Sequence, residues 1–156
     1  MKNLAYITTQ KVTRREAKVL NKRKYIENLS HIDQMWKYLK NLYGDVLAVK
    51  DLRGKNKEEF SYKELDNLIT KASNAFFNLG LRKGDVVTII SENSPRWLIV
   101  DQAIMRLGAI DAVRGSNAPS VELNYIIKHS KSVGLIVQSD DVWSKLENKQ
   151  ALLENL

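Results

Sequence analysis

Few side chains in this sequence are of the types that do chemistry, and their spacing gives them little to act with. The two histidines, His31 and His129, stand apart, and there is no cysteine. Disulfides, thiolate zinc sites and a cysteine nucleophile are therefore absent. The seven glycines are Gly44, Gly54, Gly80, Gly84, Gly108, Gly115 and Gly134. No two are separated by one residue and none precedes a Lys-Ser or Lys-Thr pair, so neither glycine-rich phosphate motif occurs. A phosphate cradle needs backbone N–H groups converging in one loop, which scattered glycines do not supply.

The remaining candidates each have a plain structural explanation beside the functional one. Asp140 and Asp141 are adjacent carboxylates, but acids opening a helix also complement its dipole. His129, between Lys128 and Ser130, falls at a helix end where an imidazole meets free carbonyls. Trp36 and Trp97 sit on apolar faces and read first as core. Arg114 is less ordinary. It follows an apolar strand and is expected to enter the loop at that strand's C-terminal edge, where open α/β sheets collect their ligands. The alternative is an arginine paired with a nearby acid or carbonyl.

Regular elements must position these groups. Ile32, Met35, Trp36, Leu39, Leu42 and Tyr43 follow one helix face, and Gly44 closes it. Val46 to Lys50 reads as a short strand, Arg53 to Lys57 as a polar turn, and Phe60 as the next pairing residue. Ser61 and Glu64 have capping-box spacing, and Leu65, Ile69, Ala72, Phe76 and Leu79 continue a helix that Gly80 stops. Gly80 and Gly84 flank the turn into the next strand, Asp85 to Ile90. Ile69 and Phe76 are expected to pack on the Val87 and Ile89 face of that strand. A helix from Arg96 to Leu107, a strand from Ala109 to Val113, a short helix at Leu123 to Ile127, a strand from Val133 to Val137 and a last helix bearing Trp143 and Leu146 complete the pattern. This alternation predicts an α/β fold with parallel strands, short crossover helices and strands buried on both faces.

Composition agrees with a soluble globular chain: 156 residues, 44% apolar and 28% charged. The longest wholly apolar runs are about four residues, as in Trp97 to Val100, far short of a membrane span. The net charge of +7 is unevenly placed. Residues 1–24 hold eight basic groups against Glu16, and the rest of the chain is neutral, with seventeen charges of each sign. The expected division is a basic leader over residues 1–30 and a folded portion over 31–156. The leader has no apolar core of signal-peptide length. A solvated extension, an acidic partner and an anionic lipid surface all fit it. Nucleic acid does not, because aromatics are not interleaved with the basic groups and no reading motif follows.

Several motifs taken together carry a resemblance. F-S-Y-K-E-L (Phe60 to Leu65) and N-L-G-L-R-K-G-D-V-V (Asn78 to Val87) resemble the opening of the adenylate-forming, AMP-binding enzymes that activate carboxylic acids. S-E-N-S-P-R-W-L-I-V-D (Ser91 to Asp101) looks like the long-chain fatty acyl synthetase branch. M-R-L-G-A-I-D-A-V-R-G-S (Met105 to Ser116), followed by E-L-N-Y-I-I (Glu122 to Ile127), is similar to the fatty acid:acyl-carrier-protein ligases. Arg114 stands where many acyl-CoA synthetases carry an Asn-Pro loop.

The resemblance implies a partial N-terminal lobe of the adenylate-forming fold, with a mostly parallel sheet and flanking helices. It also implies a two-step ligase. ATP and Mg2+ convert a long-chain fatty acid to an acyl-adenylate, and a phosphopantetheine thiol on acyl carrier protein or CoA then displaces AMP. The family's Pro-Lys-Gly phosphate loop, its adenine motif and its C-terminal catalytic lysine do not occur among these residues. None of the family's catalytic, cofactor-binding or metal-binding positions is therefore carried over. Trp97 and Arg114 are the only candidates, for the acyl pocket or the acceptor-side loop. The expectation is an incomplete portion of a cytoplasmic or peripheral-membrane enzyme, inactive alone. The competing expectation is a non-catalytic α/β interaction module or remnant gene product. An exposed apolar face where further segments dock would favour the first.

Overall fold

The computed structural model describes residues 14, 29–52, 57–147 and 149–150. Most of the basic leader and of the turn at Arg53 to Lys57 lies outside them. The chain enters through a 3-10 turn, Ile32–Gln34, which runs into helix α1, Met35–Tyr43. The expected single helix thus begins as a tighter turn. A β-hairpin follows, with β1 (Leu47–Lys50) and β2 (Glu59–Ser61) paired antiparallel.

Helix α2, Tyr62–Asn78, starts where its capping box requires. The Ser61 hydroxyl accepts from the Glu64 N–H at 3.2 Å, and the Glu64 carboxylate accepts from the Ser61 N–H at 2.8 Å. Two otherwise orphaned backbone donors are satisfied. At the other end Gly80 takes φ +107° and Gly84 φ +88°, a backbone region that L side chains rarely adopt. Both glycines are thus accounted for by the turn into the sheet.

The main sheet has three parallel strands in the order β4-β3-β5. They are β3 (Val86–Ile90), β4 (Ile110–Arg114) and β5 (Gly134–Val137). Helix α3, Pro95–Arg106, connects β3 to β4. Helix α4, Ser120–Ser130, returns from β4 to β5, and α5, Asp140–Lys145, follows. Both α3 and α5 start on a serine whose hydroxyl accepts a helix N–H: Ser94 from Trp97 and Ser139 from Val142.

The alternating residues of β3 separate two cores. Val87 and Ile89 face a cluster with Leu81, Ile104 and Ala109, against which Phe76, Trp97 and Val100 pack. Ile90 faces the other side, with Ala118, Leu123, Ile127, Val142 and Leu146. Helices α3 and α4 therefore cover opposite faces. A third cluster joins Trp36, Leu65, Ile69 and Ala103 and holds the hairpin through Val49 and Phe60. Phe76 is half-buried and reaches the strand as expected. Ile69 instead packs between helices, because its position on α2 faces α1 and α3.

Burial departs from the expectation in the two outer strands. β3 is buried from Val87 to Ile90, whereas β4 leaves Ile110, Val113 and Arg114 exposed and β5 is half-buried throughout. β4 and β5 are the edges of the sheet, so each has a strand on one side only. No helix among the described residues is long and apolar enough to cross a membrane.

Candidate functional site

Parallel strands aim their C-terminal ends at one edge, and connections leaving to opposite faces open a crevice there. β3 and β4 make such a pair, since one leads to α3 and the other to α4. The groups that meet at this edge are Ser91 and Glu92 after β3, Arg114 to Ser116 after β4, and Gln138 after β5.

They are already bonded to one another. The Glu92 carboxylate Oε1 accepts from the Ser116 N–H and the Ser116 hydroxyl, each at 2.8 Å. The Glu92 N–H donates to Gln138 Oε1 at 2.7 Å. Lys145 Nζ donates to the Ser116 carbonyl at 3.3 Å. A Cβ at Gly115 would stand 3.3 Å from Glu92 Oε1, so glycine allows this carboxylate to approach. An internal anion thus uses the hydroxyl and N–H donors that Ser116 would otherwise offer to a bound one.

Arg114 is the last residue of β4, opposite Ile90, rather than a loop residue. Its Nε donates to Glu122 Oε1 at 2.6 Å, across the first turn of α4. This bond, reinforced by charge attraction, raises the arginine pKa and lowers that of Glu122. Of the two sequence readings of Arg114, the observed contact is the pairing with an acid. Trp97 lies on the first turn of α3, half-buried on the opposite side of the sheet from the Glu122 pair. Its indole Nε1 is buried without a hydrogen-bond partner among the described residues. The structure therefore does not bring Trp97 and Arg114 together around one cavity.

Asp140 and Asp141 occupy the first turn of α5, as the dipole explanation requires. His129 lies in the last turn of α4, stacked on Tyr125 with ring centroids 5.2 Å apart. Trp36 is core, and its Nε1 donates to Gln102 Oε1 at 2.7 Å. Among the described residues no cluster of three or more His, Asp or Glu could hold a metal ion. With the Ser116 N–H and hydroxyl both held by Glu92, the described residues of this edge do not present the free donor set that a nucleotide phosphate takes.

Sequence reasoning missed two polar assemblies. One is the Glu92–Ser116–Gln138 clamp, for which Gly115 beside Ser116 after a strand was the only local signal. The other is a buried set on α1, α2 and α3. Asp66 there accepts from Lys40 and Arg106, each at 2.9 Å. Burial pushes the Asp66 pKa up, but the hydrogen bonds from Lys40 and Arg106 outweigh it and leave the carboxyl below its ordinary value.

Comparison with known proteins agrees with this architecture. The AMP-binding enzyme family model matches residues 40–155. A chloroplastic long-chain-fatty-acid–[acyl-carrier-protein] ligase of Arabidopsis thaliana is 30% identical over 115 residues, which are 74% of this chain and 16% of that protein. A crotonobetaine/carnitine–CoA ligase of Escherichia coli is 29% identical over 110 residues, covering 70% of this chain and 21% of that protein. The chain thus spans about a fifth or less of the length of these relatives. The N-terminal domain of FACL13 from Mycobacterium tuberculosis superposes with TM-score 0.68 at 19% identity, over 74% of this chain and 30% of that one. With the family matched across most of its length and the fold shared with N-terminal domains, this chain belongs to the AMP-binding enzymes.

Proposed function

We propose that this chain is an N-terminal framework portion of an ATP-dependent long-chain fatty acid ligase, and that it is inactive on its own. The observation that carries this reading is the family match over residues 40–155, with the plant acyl-carrier-protein ligase among the relatives. The whole enzyme would join ATP to a fatty acid and pass the acyl group to a carrier-protein or CoA thiol. The residues described here contribute no group to that chemistry. Their role is to build the sheet on which the remainder of the enzyme is assembled.

Exposed apolar residues support incompleteness over a free-standing module. Ile110 and Val113 on β4 and Val121 and Tyr125 on α4 are all exposed. A solvated edge strand of this kind invites pairing. Acyl carrier protein is the favoured acceptor on the plant relative and on the basic leader, which would meet an acidic surface. Arg114 adds less to that preference than its sequence position suggests, because Glu122 already engages it. If the leader instead meets anionic lipid, binding to acidic vesicles should weaken steeply with salt and vanish when residues 1–24 are deleted.

Fatty-acid-dependent ATP–pyrophosphate exchange tests the reading. The 156-residue chain should show none. A chimera continuing it with the remaining length of the Arabidopsis ligase should restore exchange. Exchange by the short chain alone, abolished by Arg114→Ala, would overturn the reading.

A further inference from the structure

Two helix-to-strand turns lie side by side at the N-terminal edge of the sheet, away from the Glu92 clamp. Residues 79–85 bring α2 to β3, and residues 131–133 bring α4 to β5. The Val133 N–H donates to the Val86 carbonyl at 2.8 Å and joins the two. Both turns hold apolar side chains in water. Leu79, the C-cap of α2, is 84% exposed although it continues the apolar stripe of that helix. Past Gly80 the chain sends Leu81 into the core and leaves Leu79 outside. Phe77 and Val133 are each about half exposed. Single exposed apolar residues are ordinary, but a group of them on one edge marks a contact surface.

The same turns carry exposed cations. Arg82, Lys83 and Lys131 are exposed, and none forms an ion pair with a carboxylate among the described residues. The Arg82 guanidinium lies 4.0 Å from the centre of the Phe77 ring and donates to the Phe77 carbonyl at 2.7 Å. The acid in the first turn, Asp85, is used within it, accepting from the Arg82 N–H at 2.7 Å. The opposite edge has the other sign, with Glu92, Glu122, Asp140 and Asp141 against Arg114 and Lys145. The folded portion is neutral overall, so its charge is separated along the strand direction.

We propose that this N-terminal edge is a docking surface for anionic lipid. Leu79 and Phe77 enter the headgroup boundary, and Arg82, Lys83 and Lys131 meet lipid phosphates. Apolar side chains beside unpaired cations are the make-up of segments that lie in a membrane interface. Leu79 projects from a helix end instead of lining a groove, which suits insertion between headgroups better than a protein partner. The acidic edge, where the sheet would take its ligands, then faces away from the bilayer. This surface is formed by folded residues alone and stands whatever the leader meets.

Vesicle sedimentation with the full chain tests it, using phosphatidylcholine alone and an equimolar mixture with phosphatidylglycerol. Binding should occur on the mixed vesicles and fall steeply with salt. Leu79→Ser should weaken it several-fold. Lys83→Gln with Lys131→Gly should weaken it further, by about five-fold for each charge removed. Both lysines are exposed and glycine suits φ +53° at position 131, so folding is retained. A gain-of-signal variant supplies the second readout. Leu79→Trp should be quenched by lipids brominated along their acyl chains, beyond any quenching of the three native tryptophans. Vesicle binding that ignores all these substitutions, as contact through the leader alone would give, would overturn the proposal. So would a response to the lysines without one at Leu79, which is adsorption without insertion. Binding to polyglutamate but not to vesicles would overturn it in favour of an acidic protein.

Discussion

β3 and β4 are adjacent, parallel and equally long, and both are mainly apolar, yet they live in different surroundings. Val-Val-Thr-Ile-Ile is buried in four of its five residues, while Ile-Asp-Ala-Val-Arg is exposed in three of five. Ile89 and Val113 stand directly opposite each other across the ladder, one 1% and the other 41% exposed. Position within the sheet makes this difference. β3 has a strand on each side and helices on both faces, whereas β4 has a strand on one side only. A strand's apolarity reports what it can bury, and its neighbours decide what it does bury.

The largest effect should therefore come from β3. Ile89→Ala removes a side chain packed against Leu81 and Ile104 and should cost about 2–5 kcal/mol in chemical denaturation. A loss below about 1 kcal/mol would show that the two strands are not as unlike as their burial indicates.

The helical layer behind β3 gives the next effect. Arg106→Ala removes one of two cations on buried Asp66 and should cost about 1.5–3 kcal/mol, the range for a hydrogen bond to a charged group. The same carboxyl imposes an acid limit. Its folded pKa lies below the ordinary 3.8, so its stabilisation is complete above that value and disappears as pH falls through the folded pKa. Asp101 runs the other way. Burial raises its folded pKa to about 6, so the stability linked to it falls as pH rises from 3.8 to that point and is level above it. Denaturation midpoints against pH in the wild type and in Asp101→Asn separate the two contributions.

The smallest effect should be at the edge. Val113→Ala should change stability by less than about 0.5 kcal/mol, because exposed positions have little packing to lose. The same substitution in the chimera with the rest of the ligase should cost more, since cover would then be present. Equal costs in both would mean that nothing docks on β4.

The legible parts of the fold were the local ones. Ser61 and Glu64 are three residues apart, so the start of α2 is written in four residues, and Gly80 marks its end. Strand starts at Val86, Ile110 and Gly134 recur regularly enough to imply parallel crossovers. Groups brought together by folding were not legible. Glu92 meets Ser116 across 24 residues, and Trp36 meets Gln102 across 66. Arg114 falls between these cases. Its place at the sheet edge was readable, but its partner Glu122 lies a helical turn into the next element. The end of β4 was placed one residue early, an ordinary uncertainty where a ladder frays into a loop.

The central proposal is that these residues form a framework without a nucleotide site, and what supports it is that Glu92 holds the N–H and hydroxyl of Ser116 at the sheet edge. Equilibrium titration of ATP with Mg2+ into the purified 156-residue chain tests it most directly. The account predicts no saturable binding below about 1 mM, which corresponds to less than about 4 kcal/mol of affinity. Saturable binding well below that concentration, with chemical-shift changes centred on Glu92, Arg114 and Ser116, would contradict it.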